Sequence, residues 1–129
     1  MRLRQTAGSI IFLAPLAYHF GGLSLDPVSE STSAALLALT RSLALEVAPS
    51  SIRVNAIAFG AIAANNESAL SPDKLVPLGY RIAAADIGAG VVFLASSKAR
   101  FITGTSLVID GGLGLVSGSY LRSQRLIEM

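Results

Sequence analysis

Apolar positions along this 129-residue chain fall into two rhythms: short uninterrupted runs, and longer stretches in which they cover several faces of a helix. GSIIFLA, from Gly8 to Ala14, is too short for a helix and shows no alternation. It predicts a strand at 8–14 buried on both faces. Pro15, Gly21, Gly22, Asp26 and Pro27 break the pattern. SESTSAALLALTRSLALEV then predicts a helix over 30–47, opened by the Ser/Thr-rich segment from Ser29 to Ser33 and stopped at Pro49. Between Ala34 and Val47 only Thr40, Arg41, Ser42 and Glu46 are polar, so the helix should be covered on more than one side. Arg41 and Glu46 mark its wet or ion-paired positions.

SIRVNAIA (51–58) repeats the buried-strand pattern and exits through Phe59 and Gly60. Residues 61–82 are loop-like, with a candidate short helix from Asn66 to Leu70. A helix at 84–96 follows despite Gly88 and Gly90, and a third strand at 105–109 ends in Asp110, Gly111 and Gly112. Strands alternating with helices at this spacing predict right-handed parallel crossovers and an α/β fold. One domain is expected over 1–112, with a tail at 113–129 that carries a candidate terminal helix from Tyr120 to Glu128 and serves subunit contacts.

Composition changes this picture in one respect. With 52% apolar and 14% charged residues, and a mean hydropathy of +0.61, little polar surface is left to coat a small globule. Part of the apolar surface is therefore expected to meet another chain. The net charge of +2 comes with no basic cluster beyond Arg2 and Arg4, which argues against nucleic acid. The absence of cysteine fits a reducing, cytoplasmic setting, and one histidine is too few for a transition-metal cage. MRLRQTAGSIIFLAPLA has the outline of an export signal, but no small-x-small cleavage site follows it. Pro15, His19, Gly21 and Gly22 interrupt the uncharged run from Thr6 to Leu25, so no membrane span is expected.

GSIIFLAPLA, SAALLALTRSLALEVAPSSIRVNAIAFGAI and PLGYRIAAADIGAGVVFLASSKARFITGTSLVIDGG occur in that order. Together they resemble the C-terminal half of the short-chain dehydrogenases/reductases. The second stretch is similar to the family pattern K-A-A-L-x-x-L-T-R-x-L-A-x-E-x-A-P-x-x-I-R-V-N-A-I-x-P-G. The third resembles the family's closing segment, F/Y-I-T-G-x-x-L-x-V-D-G-G. The resemblance implies a partial Rossmann-like fold of about three parallel strands. The glycine-rich turn that seats the cofactor pyrophosphate at a helix N-terminus belongs to the family's other half and has no counterpart in these residues.

Family members reduce carbonyls with a tyrosine as proton donor, a lysine four residues later that lowers its pKa and holds the ribose, and a serine that polarises the carbonyl. Positions i and i+4 share one helix face, which is why that spacing suits the pair. Here the tyrosine position falls on Ser29 and the lysine position on Ser33. The serine position falls on Pro15, or on Ala14 if the loop slips by one. The lysines are Lys74 and Lys98, preceded at four residues by Leu70 and Leu94, so no Tyr-x-x-x-Lys occurs anywhere. The family's Pro-Gly turn reads Phe59-Gly60, and its following threonine reads Ala63-Ala64.

No catalytic, cofactor-binding or metal-binding residue is therefore assigned. GGLGLVSG (111–118) departs from G-x-G-x-x-G and is read as a flexible exit from the last strand. His19 with Asp26 or Glu30 is read as solvated, Tyr18 and Tyr80 as half-buried packing, and Arg53 and Asn55 as structural hydrogen-bonding residues. No G-x-S-x-G elbow occurs. The expected function is a non-catalytic subunit that assembles with and stabilises an active NAD(P)-dependent short-chain dehydrogenase/reductase, one acting on hydroxyacyl or ketoacyl thioesters being the example the family suggests. Under this reading the chain binds no cofactor, NAD or NADP residing in the partner, and it docks or self-associates through helix 30–47. The alternatives are half of a split oxidoreductase with NAD(P)-dependent alcohol/ketone activity, and a secreted or anchored fragment without enzymatic role.

Overall fold

The computed structural model describes residues 8–16, 27–60, 62–63 and 75–116. Strand β1 spans Ser9–Pro15, helix α1 Pro27–Val47, strand β2 Arg53–Phe59, helix α2 Ala84–Ala95 and strand β3 Ser106–Ile109. All strands run parallel in the order β1-β2-β3. Ser9 is opposite Arg53 and Pro15 opposite Phe59, while Ala56 to Phe59 pair with Ser106 to Ile109. The α/β expectation thus holds, with strand and helix ends displaced by one to three residues.

Alternate residues of each strand point to opposite faces. On one face Ile57 joins Ile87 and Leu94 of α2, together with Ile82 and Ala99, in the apolar core; Ile11, Phe59, Leu107 and Ile109 pack against them. Gly90 is what lets α2 lie this close, because a Cβ there would sit 2.7 Å from the Ile109 side chain and 3.2 Å from Ile57. This explains a glycine that helix propensity alone disfavours. The other face presents small residues, Ala14, Ala56 and Ala58, beneath the Ala44 stripe of α1. Asn55 and Arg53 tie the body together. Asn55 is fully buried; its Nδ2 donates to Ile102 O at 2.9 Å and its Oδ1 accepts from Thr105 N–H at 3.2 Å. Arg53 donates to the carbonyls of Ala95, Ser96 and Ile102, each at 3.4 Å. Their structural reading is the one observed.

Three expectations need correction. Helix α1 begins at Pro27 rather than at residue 30, a proline being well suited to a first turn whose N–H groups have no intrahelical acceptor. The Ser/Thr-rich segment therefore lies inside the helix, where the Ser31 and Thr32 hydroxyls donate to the Pro27 and Val28 carbonyls at 2.8 Å. Strand β1 is not buried on both faces: Ile10 is 37% and Leu13 48% exposed, because β1 is an edge strand. Among the described residues α1 is covered along one stripe, with Ser33, Thr40 and Ala44 buried and Leu45 81% exposed. Arg41 and Glu46 are exposed. The candidate helices at 66–70 and 120–128 lie outside the described residues. Packing continues past residue 112, since Leu113 and Val116 are both buried.

Candidate functional site

In parallel α/β sheets, chemistry gathers beyond the C-terminal ends of the strands. Here those ends are Pro15, Phe59 and Ile109. Leu16 N–H donates to Phe59 O at 2.7 Å and Gly60 N–H to Ile109 O at 2.9 Å, so the ladder is extended one step past each strand. Gly60 sits against Asp110, where a Cβ would come within 3.0 Å of the aspartate Cα and Cβ. The Pro-to-Phe change at residue 59 in the family turn therefore leaves its glycine with a steric role.

Asp110 holds the turn after β3. Its Oδ1 accepts from Gly112 N–H and its Oδ2 from Gly114 N–H, both at 2.8 Å. Gly111 and Gly112 adopt φ of +63° and +87°, and Gly111 O accepts from Leu78 N–H at 3.1 Å. The segment is a built turn and not the loose exit expected from sequence. Its amide hydrogens at 112 and 114 are spoken for by Asp110, so they are not free to cradle a phosphate. The residues present here do not fit a dinucleotide pyrophosphate.

The positions matching the family's reacting groups converge between β1 and α1. A cavity of about 360 Å³ is lined by Pro15, Leu16, Glu30, Ser31, Ser33, Ala34 and Leu37. Ser33 is buried, at 6% exposure, and Ser29 is half-buried one turn earlier. Pro15 and Ser33 are thus brought together, while Ser29 does not line the cavity. Among the described residues the wall holds proline, leucine, alanine, two serines and one carboxylate, with no tyrosine and no fixed cation. Sequence reasoning placed Glu30 only in a hypothetical pair with His19; its position beside Ser33 follows from the i to i+3 spacing on α1, but only the end of β1 turns that face into a cavity. Ala63 is half-buried; Ala64, Tyr18, His19, Asp26, Lys74 and the last two residues of GGLGLVSG lie outside the described residues.

A larger cavity, about 580 Å³, lies away from this site between Pro77, Leu78, Tyr80 and the Gly111-Gly112 turn. Tyr80 is 42% exposed at its edge. The cavity's two carboxylates serve the backbone: Asp110 holds its turn, and Asp86 Oδ2 accepts from Ala83 N–H at 2.8 Å at the start of α2. Among the described residues there is no cluster of potential metal ligands, and no helix is long and apolar enough to cross a membrane.

The family model described as Enoyl-(Acyl carrier protein) reductase matches residues 1–114. The chain belongs to the short-chain dehydrogenase/reductase family of oxidoreductases. It is 43% identical over 88 residues to 3beta-hydroxysteroid dehydrogenase 1 of Eggerthella lenta, covering 62% of this chain and 34% of that protein. With the L-rhamnose 1-dehydrogenase (NAD(P)(+)) of Azotobacter vinelandii it shares 36% identity over 121 residues, covering 88% of this chain and 47% of that one. Among solved structures, acetoin dehydrogenase from Salmonella typhimurium superposes with a TM-score of 0.78 at 30% identity, over 89% of this chain and 47% of that one. The short-chain dehydrogenase of Leptospira borgpetersenii, solved with bound NAD+, gives 0.75 at 31% identity, over 86% and 46%. The chain spans about half the length of most curated relatives it matches.

Proposed function

We propose that this chain is a non-catalytic member of its family that assembles with, and stabilises, an active NAD(P)-dependent short-chain dehydrogenase/reductase. The observation that carries the reading is the buried Ser33 beside Pro15. Where the family's chemistry needs an ammonium next to a hydroxyl-bearing strand end, this chain offers one neutral hydroxyl next to a proline. A serine hydroxyl stays protonated throughout the physiological range, so it neither lowers a neighbour's pKa nor carries charge to a ribose.

Assembly is supported by the uncovered apolar surface. Val28, Leu39 and Leu45 stand 73%, 47% and 81% exposed along α1, and Val92 and Phe93 stand 70% and 40% exposed on α2. Helix faces of this kind are stable in water mainly when another surface covers them. An active sibling of the same fold is the partner proposed, and the bound NAD or NADP resides in that sibling. Hydroxyacyl or ketoacyl thioesters are the substrate class proposed for it.

The test is co-expression of this chain with a full-length family member from the same organism, followed by native mass spectrometry and activity measurement. Assembly in fixed stoichiometry, with a raised melting temperature for the sibling, is expected. Purified chain that stays monomeric and oxidises NAD(P)H with a ketone would overturn the proposal and favour a split oxidoreductase.

A further inference from the structure

Four hydroxyls of α1 share a habit from which Ser33 departs. Ser31, Thr32, Thr40 and Ser42 donate to the carbonyl four residues back, at 2.8, 2.8, 2.7 and 3.5 Å. Such back-bonding is the usual way a helix satisfies a serine or threonine. Ser33 does not do so, although it is the more deeply buried of the serines on this helix, and it has no hydrogen-bond partner among the described residues. No fully enclosed side-chain polar atom lacks a partner. The Ser33 oxygen therefore opens onto the cavity it lines with Pro15, Leu16, Glu30, Ala34 and Leu37.

We propose that this cavity binds a small primary alkylammonium ion, with the Glu30 carboxylate and Ser33 Oγ accepting from the ammonium and the alkyl body lying against Leu16, Ala34 and Leu37. Three features select this chemistry. Among the described residues the sole charged side chain in the wall is Glu30, and no lysine or arginine lines it, so the side-chain charge there favours a cation over an anion. An ammonium carries three donors, and the cavity presents the Glu30 carboxylate together with the hydroxyl oxygens of Ser33 and Ser31 as acceptors. Apart from Ser31 the remaining wall is apolar, and about 360 Å³ is available, which suits a short hydrocarbon. The N-terminal end of α1 opposes a cation with about half a positive charge. The full negative charge of Glu30, in the first turn, exceeds it.

The proposal rests on the non-catalytic reading, under which the family's lysine position, beside Glu30 on α1, is held by Ser33 and offers no ammonium to compete. It concerns binding alone, so a turnover assay tests that reading separately. The experiment is a titration of the full chain with n-butylammonium chloride, n-butanol and sodium butyrate, followed by 1H–15N correlation spectra at fixed ionic strength. Saturable shifts centred on the amides of Glu30, Ser33 and Ala34 are expected, with n-butylammonium binding roughly threefold tighter than n-butanol, as for a partly exposed ion pair, and butyrate weakest. Glu30→Gln should abolish the preference for the amine. A measurement needing no variant backs this up: raising the salt should weaken the amine and leave the alcohol unchanged. Equal binding of amine and alcohol in the natural chain, or an amine preference insensitive to both salt and Glu30→Gln, would overturn the proposal.

Discussion

Replacing Asn55 by alanine tests how this half-fold is held together. The side chain is fully buried and spans from β2 to the turn ahead of β3, through its 2.9 Å bond to Ile102 O and its 3.2 Å bond from Thr105 N–H. A buried group stripped of its partner costs about 1–3 kcal/mol. Both orphans have partial relief here: Ile102 O keeps a long contact of 3.4 Å with Arg53, and Thr105 is exposed enough for water to reach it. Each is therefore set at the low end, about 1 kcal/mol. The cavity left by the amide adds roughly another 1 kcal/mol. The expected loss is about 3 kcal/mol, a large part of the ~5–15 kcal/mol typical of a domain. The assay is urea unfolding followed by circular dichroism at fixed protein concentration. With a slope of about 1.5 kcal/mol/M the midpoint should fall by about 2 M. A fall equivalent to less than about 0.5 kcal/mol would refute the reasoning, because it would mean that the β2–β3 connection is held by strand pairing alone.

Asn55→Asp keeps an acceptor for Thr105 N–H but turns a carboxylate oxygen toward Ile102 O. Burial raises the pKa of that carboxyl in the folded chain, so its contribution is present at low pH and lost as pH rises; melting temperature should be higher near pH 5 than near pH 8. Gly111→Ala forces φ of +63° on an L-residue and puts a Cβ 2.6 Å from Val76 Cγ1; a loss of about 1–3 kcal/mol by chemical denaturation is expected. Leu45→Lys, at a side chain 81% exposed, should change the urea midpoint of the isolated chain by less than about 0.5 kcal/mol while lowering the fraction found in assemblies by native mass spectrometry. Ser29→Tyr combined with Ser33→Lys should add no NAD(P)H turnover to this chain, measured by loss of absorbance at 340 nm with a ketone panel.

Much of the fold could be read from the chain because its strands and helices differ in period and length. The run at 8–14 and the pattern at 51–58 gave the parallel pair, and their register follows once a crossover helix joins them. What could not be read was how much of each element this chain covers by itself. GSIIFLA reads as a doubly buried strand because its residues are apolar, yet Ile10 and Leu13 are exposed at a sheet edge. The same holds for α1, whose apolar faces exceed what one sheet can cover. Helix α1 starts earlier than the Ser/Thr cluster suggests because those hydroxyls bond backward inside the helix, a choice that residue type leaves open. At the candidate site, Ser29, Ser33 and Pro15 were identified by family resemblance, and the cavity joining Pro15 and Ser33 is a tertiary fact. Glu30 and the unpaired hydroxyl of Ser33 emerge only when the end of β1 is set against α1. The role of Asp110 likewise depends on two glycine turns whose positive φ the sequence permits but does not demand.

The central claim is that this chain contributes assembly and no chemistry. Its most direct test is the turnover of the purified assembly after the full-length sibling's own catalytic tyrosine has been changed to phenylalanine. The account predicts an intact complex by native mass spectrometry with no NAD(P)H oxidation above the buffer rate. Substrate-dependent turnover surviving that change, and lost on replacing Glu30 or Ser33, would contradict it.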